Sequence, residues 1–160
     1  VNNNATITFF EFFTAAAFYV FSKIKADLFV CEVGLGGRYD ATNVLNEKKK
    51  TCIITSIGLD HKEFLGNNIK HIANEKSGIM KNNNILICSK QNKRSLSVIK
   101  RIANKKNCIS YFYGEDWFIK NKYLYFNVLS HHGEVKWCAL EDKYSYPMHQ
   151  SHCCISSTLN

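Results

Sequence analysis

A single proline, Pro147, occurs in the 160 residues, and none of the seven cysteines forms a Cys-x-x-Cys pair. The scarcity of proline accompanies an abundance of Asn, Lys and Ile. That combination reads as drift of the coding sequence more than as selection for a basic surface. Cys31, Cys52, Cys88 and Cys108 lie inside apolar, strand-like runs, where a free cysteine is usually a small buried hydrophobe. A reducing cytoplasm therefore fits better than a disulfide framework. His149, His152, Cys153 and Cys154 lack the second well-spaced pair that a structural zinc site needs. No long apolar run exists either. The stretch 12–21 is interrupted by Thr14, and at about ten residues it is too short to span a bilayer. It has no basic leader and no cleavage site, which excludes a signal peptide. No membrane partner is expected.

The net charge of +8 suits an anionic partner, yet its layout argues against a nucleic-acid face. The short clusters Lys48-Lys49-Lys50, Lys93-Arg94, Lys100-Arg101 and Lys105-Lys106 are scattered, and no recognition pattern accompanies them. They read as solvated helix and loop residues. Length and a hydrophobic content of 46% are sufficient for one domain with a sizeable core.

Residues 8–25 read as a helix: Thr8 caps it, Glu11 completes a capping box, and Ala15, Ala16 and Ala17 are strong helix formers. The apolar run 27–33 predicts a strand buried on both faces of a parallel sheet. A β-branched run over 51–57, helical spacing over 67–80, a strand at 85–89, a helix at 95–103 and a strand at 108–113 follow. Strand alternating with helix implies an α/β fold with a parallel sheet and flanking helices. After Gly114 the runs 117–120, 123–129 and 135–140 read as an added antiparallel portion. Residues 1–143 are thus expected to form one partial domain, and 144–160 a divergent tail without regular order.

Three segments carry chemistry. Glu32 ends a buried strand and a glycine turn follows at once: Gly34-Leu35-Gly36-Gly37-Arg38-Tyr39-Asp40-Ala41-Thr42-Asn43. Ligands in open α/β sheets bind at such carboxyl ends, and a carboxylate is a hard donor suited to Mg²⁺. The plain alternative is a strand-ending turn with Glu32 paired to a cation. Thr55-Ser56-Ile57-Gly58-Leu59-Asp60-His61 repeats this layout, although a lone histidine is more often structural. In His71-Ile72-Ala73-Asn74-Glu75-Lys76-Ser77-Gly78-Ile79, Lys76 interrupts an apolar face, ordinarily the mark of a snorkelling lysine.

Taken with Thr8-Phe9-Phe10-Glu11, these blocks resemble the folylpolyglutamate synthase/dihydrofolate synthase family of Mur-type ligases, whose members read much like TYFE, EVGLGGRxDATN, TSIxLDHxxxLG and IAxEKAGI. The strong likeness covers roughly residues 6–90. It implies a partial Mur-ligase ATPase domain that binds ATP and Mg²⁺ and adds L-glutamate to dihydropteroate or tetrahydrofolate through an acyl phosphate. By that resemblance Glu32 and His61 are metal ligands, projecting from adjacent strand ends toward one cation. Lys76 is the lysine that is carbamylated, which turns a cation into an anionic oxygen donor. Thr8, Phe9, Phe10, Glu11, Tyr39, Asp40 and Ala41 line the folate pocket.

Two family features are absent from these residues. No glycine-rich loop ends in Gly-Lys-Ser/Thr, and after His149-Gln150 the family's Asn-Ala positions hold Cys153 and Cys154. The opening on Val1, directly before a helix, is expected of a central fragment. Such a fragment is expected to have little activity alone, because the missing loop holds the β- and γ-phosphates. It would act beside a complementary fragment of the same enzyme, or persist as an inert remnant of gene decay. A basic nucleic-acid-binding module rests on charge alone.

Overall fold

A computed structural model describes residues 6–45, 50–58, 68–120, 123–129, 135–141 and 153–157. Helix α1 (Phe9–Phe21) opens on the expected capping box. The Thr8 backbone N–H and hydroxyl donate to Glu11 Oε2 at 2.7 and 2.8 Å, and the Glu11 N–H donates to Thr8 Oγ1. These bonds hold the Glu11 carboxyl below its ordinary range.

Strands β1 (Phe29–Glu32), β2 (Lys50–Ile54), β3 (Ile85–Cys88) and β4 (Ile109–Phe112) belong to a sheet that also contains β8 (Cys153–Ser157). Helix α2 (Ile69–Lys76), continued by a 3₁₀ turn Ser77–Ile79, connects β2 to β3, and α3 (Lys93–Lys105) connects β3 to β4. β2, β3 and β4 pair in parallel, with Cys52 beside Leu86 and Leu86 beside Ser110. This is the expected α/β architecture. β5 (Trp117–Lys120), β6 (Tyr123–Leu129) and β7 (Val135–Glu141) form the separate antiparallel sheet anticipated after Gly114.

The strand order is β1-β8-β2-β3-β4, and β8 runs antiparallel to both neighbours. Two expectations change with it. Part of the tail is a strand, and β1 and β2 are not adjacent. One intervening strand sets their axes roughly 9–10 Å apart.

Side-chain alternation sorts the sheet into two unlike faces. Cys31, Cys52, Ile54, Leu86, Cys88 and Phe112 lie on one face and join the core with Ile72, Ala73, Ile79, Met80, Val98, Ile99, Ile102 and Ala103. The other face carries Val30, Ile85, Ile109 and Tyr111, all exposed. β1 is therefore covered on one face among the described residues, not on both as its apolar run suggested. A purely apolar stretch reports tolerance of burial and does not supply the layer that buries it. Helix α1 shows the same excess: none of its residues is buried, and it rests on β1 through Phe18 and Phe21 against Phe29, with ring centroids 5.9 and 5.5 Å apart.

Cys31, Cys52 and Cys88 are buried, as read from the sequence, while Cys108 is half-buried. Burial pushes the Cys52 thiol up to about 11 and the Cys88 thiol up to about 12. At pH 8 both are expected to alkylate about a hundredfold more slowly in the folded chain than in denaturant, because thiolate is the reactive form. Mass-spectrometric mapping of each cysteine over time checks this, and equal native and denatured rates would contradict the burial.

Candidate functional site

The glycine turn after β1 is built by Asp40. Its Oδ2 accepts from the Leu35 N–H at 2.8 Å, and its Oδ1 accepts from the Thr42 N–H at 3.0 Å and from the Thr42 hydroxyl. The carboxylate thus closes the turn on one side and caps the 3₁₀ turn Ala41–Val44 on the other. Gly36 adopts φ of 70°, a left-handed conformation that glycine takes without steric cost.

Two outside elements converge on this turn. From α1, the Phe10 ring lies so close to Gly34 that a Cβ there would stand 2.7 Å from the ring and 3.1 Å from Asp40 Oδ2. From the end of α2, the backbone itself makes contact. The Arg38 N–H donates to the Glu75 carbonyl at 3.0 Å, and a Cβ on Gly37 would stand 2.9 Å from that carbonyl oxygen. A Cβ on Gly78 would meet Arg38 Cβ at 2.5 Å and Cα at 2.6 Å. Asn43 Nδ2 completes the seam, donating to the Arg38 carbonyl at 2.9 Å and the Gly78 carbonyl at 3.2 Å. Lys76 is 9% exposed and lies in this seam, its Cα near Gly37. Three of the four sequence blocks therefore meet in space.

The fourth is described only as far as Gly58. Gln91 holds its start: Nε2 donates to the Thr55 carbonyl at 2.7 Å, and Oε1 accepts from the Ile57 N–H at 3.1 Å. Ser56 Oγ donates to the Lys90 carbonyl at 2.9 Å. Nothing in the sequence marked Gln91, because its function is a backbone clamp between segments more than thirty residues apart. His61 lies outside the described residues. Glu32 is exposed at the end of β1, on the same open face as Val30. With β8 between β1 and β2, the adjacent-strand picture of Glu32 and His61 does not hold. Among the described residues no three His, Cys, Asp or Glu side chains gather closely enough to hold a metal by themselves. An exposed carboxylate such as Glu32 fits Mg²⁺, which takes one or two protein carboxylates and fills its shell with water and phosphate oxygens.

Other candidate side chains divide by exposure. Phe9 is 80% exposed and Tyr39 88% exposed, so both present open aromatic surface. Glu11 and Asp40 are already engaged in the turns described above.

The Mur ligase middle domain matches residues 5–149. The chain belongs to that family. Among its relatives, the dihydrofolate synthase/folylpolyglutamate synthase of Buchnera aphidicola subsp. Schizaphis graminum is 40% identical over 115 residues, 72% of this chain and 27% of that enzyme. The Haemophilus influenzae protein of the same name is 45% identical over 82 residues, covering 51% of this chain and 18% of that protein. Among solved structures, E. coli FolC in complex with ADP superposes with a TM-score of 0.69 at 30% identity, over 88% of this chain and 32% of that one. Mycobacterium tuberculosis folylpolyglutamate synthase complexed with ADP and AMPPCP gives 0.66 at 28% identity, over 77% and 29%. This Mur ligase middle domain therefore spans well under half the length of each relative it matches. No helix among its described residues is long and apolar enough to cross a membrane.

Proposed function

We propose that this Mur ligase middle-domain chain is the central part of an ATP-dependent ligase that joins L-glutamate to dihydropteroate or a reduced folate. The convergence of α1, the glycine turn and the α2 terminus supports the reading, because the turn that carries Tyr39, Asp40 and Ala41 packs on Phe10 through Gly34 and on the Lys76 backbone through Gly37. Phe9 and Tyr39 offer aromatic faces to a flat pterin or benzoyl ring. Phe10 sets the spacing between α1 and Gly34. Asp40 holds the turn, and Thr8 and Glu11 hold the start of α1. Ala41 is a small residue at the first position of the 3₁₀ turn, where a larger side chain would narrow the pocket.

In such a ligase ATP phosphorylates the substrate carboxylate, and the glutamate amine then attacks the acyl phosphate with loss of phosphate. Bound Mg²⁺ supplies charge neutralisation and alignment of the γ-phosphoryl group. Glu32 and His61 are its proposed protein ligands. Lys76, carbamylated on Nζ, would add an anionic oxygen donor where the unmodified side chain offers a cation. Seclusion of Lys76 in the seam with Gly37 favours that assignment, since a modified lysine needs shelter from bulk solvent.

A chimera tests the proposal. Residues 8–91 of this chain replace the matching segment of the Haemophilus influenzae enzyme, and ADP release is followed with Mg²⁺, glutamate and dihydropteroate. Glutamate-dependent turnover is expected, falling by about a thousandfold in Lys76→Met, the scale for losing one electrostatic stabiliser. A folded chimera with no turnover, or one indifferent to Lys76→Met, would contradict the reading. The present chain assayed alone is expected to be inactive, since its residues contain no phosphate-cradling loop.

A further inference from the structure

A cavity adjoins the seam between the glycine turn and α2, and none of the candidate pocket or metal residues lines it. It encloses about 610 Å³ and is walled by Arg38, Lys81, Arg101, Lys105 and Lys106, with Asn43, Asn74, Ser77, Gly78, Asn82 and Ile102 between them. Its parts come from the strap after β1, the loop entering β3 and the last turn of α3, so it opens where β3 begins. Ligand sites in open α/β sheets sit at the opposite, carboxyl edge.

The charge in this cavity is one-sided. No carboxylate lines it among the described residues. Among the described residues the one neutralising contact is at its rim, where Arg38 Nε faces Glu75 Oε1 at 3.4 Å. Lys81 Nζ donates to the Asn43 carbonyl at 3.2 Å, a neutral partner. Two helix C-termini, of α2 and α3, face the region and offset part of the charge, but each contributes only about half an elementary charge. An excess of about three positive charges therefore remains. Like charges held together are unfavourable unless something anionic joins them. Burial and the neighbouring Lys106 both push the Lys81 ammonium below its ordinary range.

A second observation is independent of charge. Ser77 is fully buried, lines the cavity, and its Oγ has no hydrogen-bond partner. A buried hydroxyl without a partner is costly, so native structures seldom leave one idle. A hydroxyl donor in the wall of a cavity lined by five cations complements an oxyanion.

We propose that this basic cavity is a binding site for a small polyvalent oxyanion, specifically an oligophosphate chain. The volume falls in the range of small-molecule sites. Arg101, whose guanidinium has no carboxylate partner among the described residues, presents a fork that matches phosphate oxygens two at a time, and the lysines supply point charges around it. The inference stands independently of the ligase reading. It also revises the view of Arg101, Lys105 and Lys106 as merely solvated helix residues.

Calorimetric titration of the whole chain with inorganic tripolyphosphate at low ionic strength tests it. Saturable one-to-one binding is expected. The pair Arg101→Gln with Lys105→Gln, both exposed positions that leave the core untouched, should weaken it about tenfold or more. The pair Lys93→Gln with Arg94→Gln removes equal charge from the other end of α3 and should change affinity less than about twofold. Absent binding, equal weakening by both pairs, or tighter binding of tetraglutamate than of tripolyphosphate would each overturn the assignment. Unchanged circular dichroism of all variants excludes misfolding as the cause.

Discussion

Gly78→Ala is expected to destabilise the chain by about 3 kcal/mol, at the upper end for overpacking a closed contact. The new methyl would stand 2.5 Å from Arg38 Cβ, 2.6 Å from Arg38 Cα and 3.0 Å from the Arg38 N. Two of these atoms are backbone, so no rotamer change relieves the clash. The strap must move off α2, and the Asn43 bonds to the Arg38 and Gly78 carbonyls would lengthen with it. Gly114→Ala supplies the contrast. Its site has φ of +84° and open space around the added carbon. That substitution should cost only the left-handed backbone term, about 1 kcal/mol. Urea unfolding of both variants decides the matter, and equal midpoints would contradict the close packing at Gly78.

The second large effect belongs to Leu86→Ala, expected at about 2–5 kcal/mol. Leu86 is fully buried at the middle of the parallel strands, beside Cys52 on β2 and Ser110 on β4. Its face of the sheet is covered by α2 and α3, where Ile72 and Ile99 are likewise fully buried, as are Ile79 and Met80 just after α2. Truncation leaves a void that the parallel strands, locked in register, cannot close. Ile85→Ala, one residue earlier on the open face and 39% exposed, should cost much less. A cost below about 1 kcal/mol for Leu86→Ala would show that the helices do not pack on that face as described.

These two substitutions separate what could be read in advance from what could not. The alternation that makes Leu86 internal and Ile85 external is visible as a short apolar run, but its two faces are not equivalent. Which face is covered depends on where α2 and α3 return to the sheet. The close approach at Gly78 was invisible, since Arg38 is forty residues away along the chain. Gln91 escaped notice for the same reason: its hydrogen bonds to the Thr55 carbonyl and Ile57 N–H join two loops, and nothing local requires a glutamine there.

The candidate site shows the same division. The capping box at Thr8 and Glu11 was legible because its partners are three residues apart. The turn around Gly36 and Asp40 was legible as a turn, since glycine and aspartate have local reasons to sit there. Asp40 as the residue that ties Leu35 to Thr42 appeared only with the coordinates. Phe9 and Phe10 looked alike in sequence, yet one is open to solvent and the other is packed over Gly34.

What the sequence determined by itself was therefore local and chemical: helix starts, strand-forming runs, glycine turns, and four ordered blocks sufficient to point to a Mur-type ligase family. Those features depend on neighbours within a few residues, where propensity and capping act. The tertiary structure alone decided that β8 separates β1 from β2, that one sheet face stands open among the described residues, and that Arg38, Lys81 and Arg101 surround one cavity. Strand neighbours and convergent charges arise from contacts between distant segments, and the chain's local preferences are compatible with many such arrangements until packing selects one.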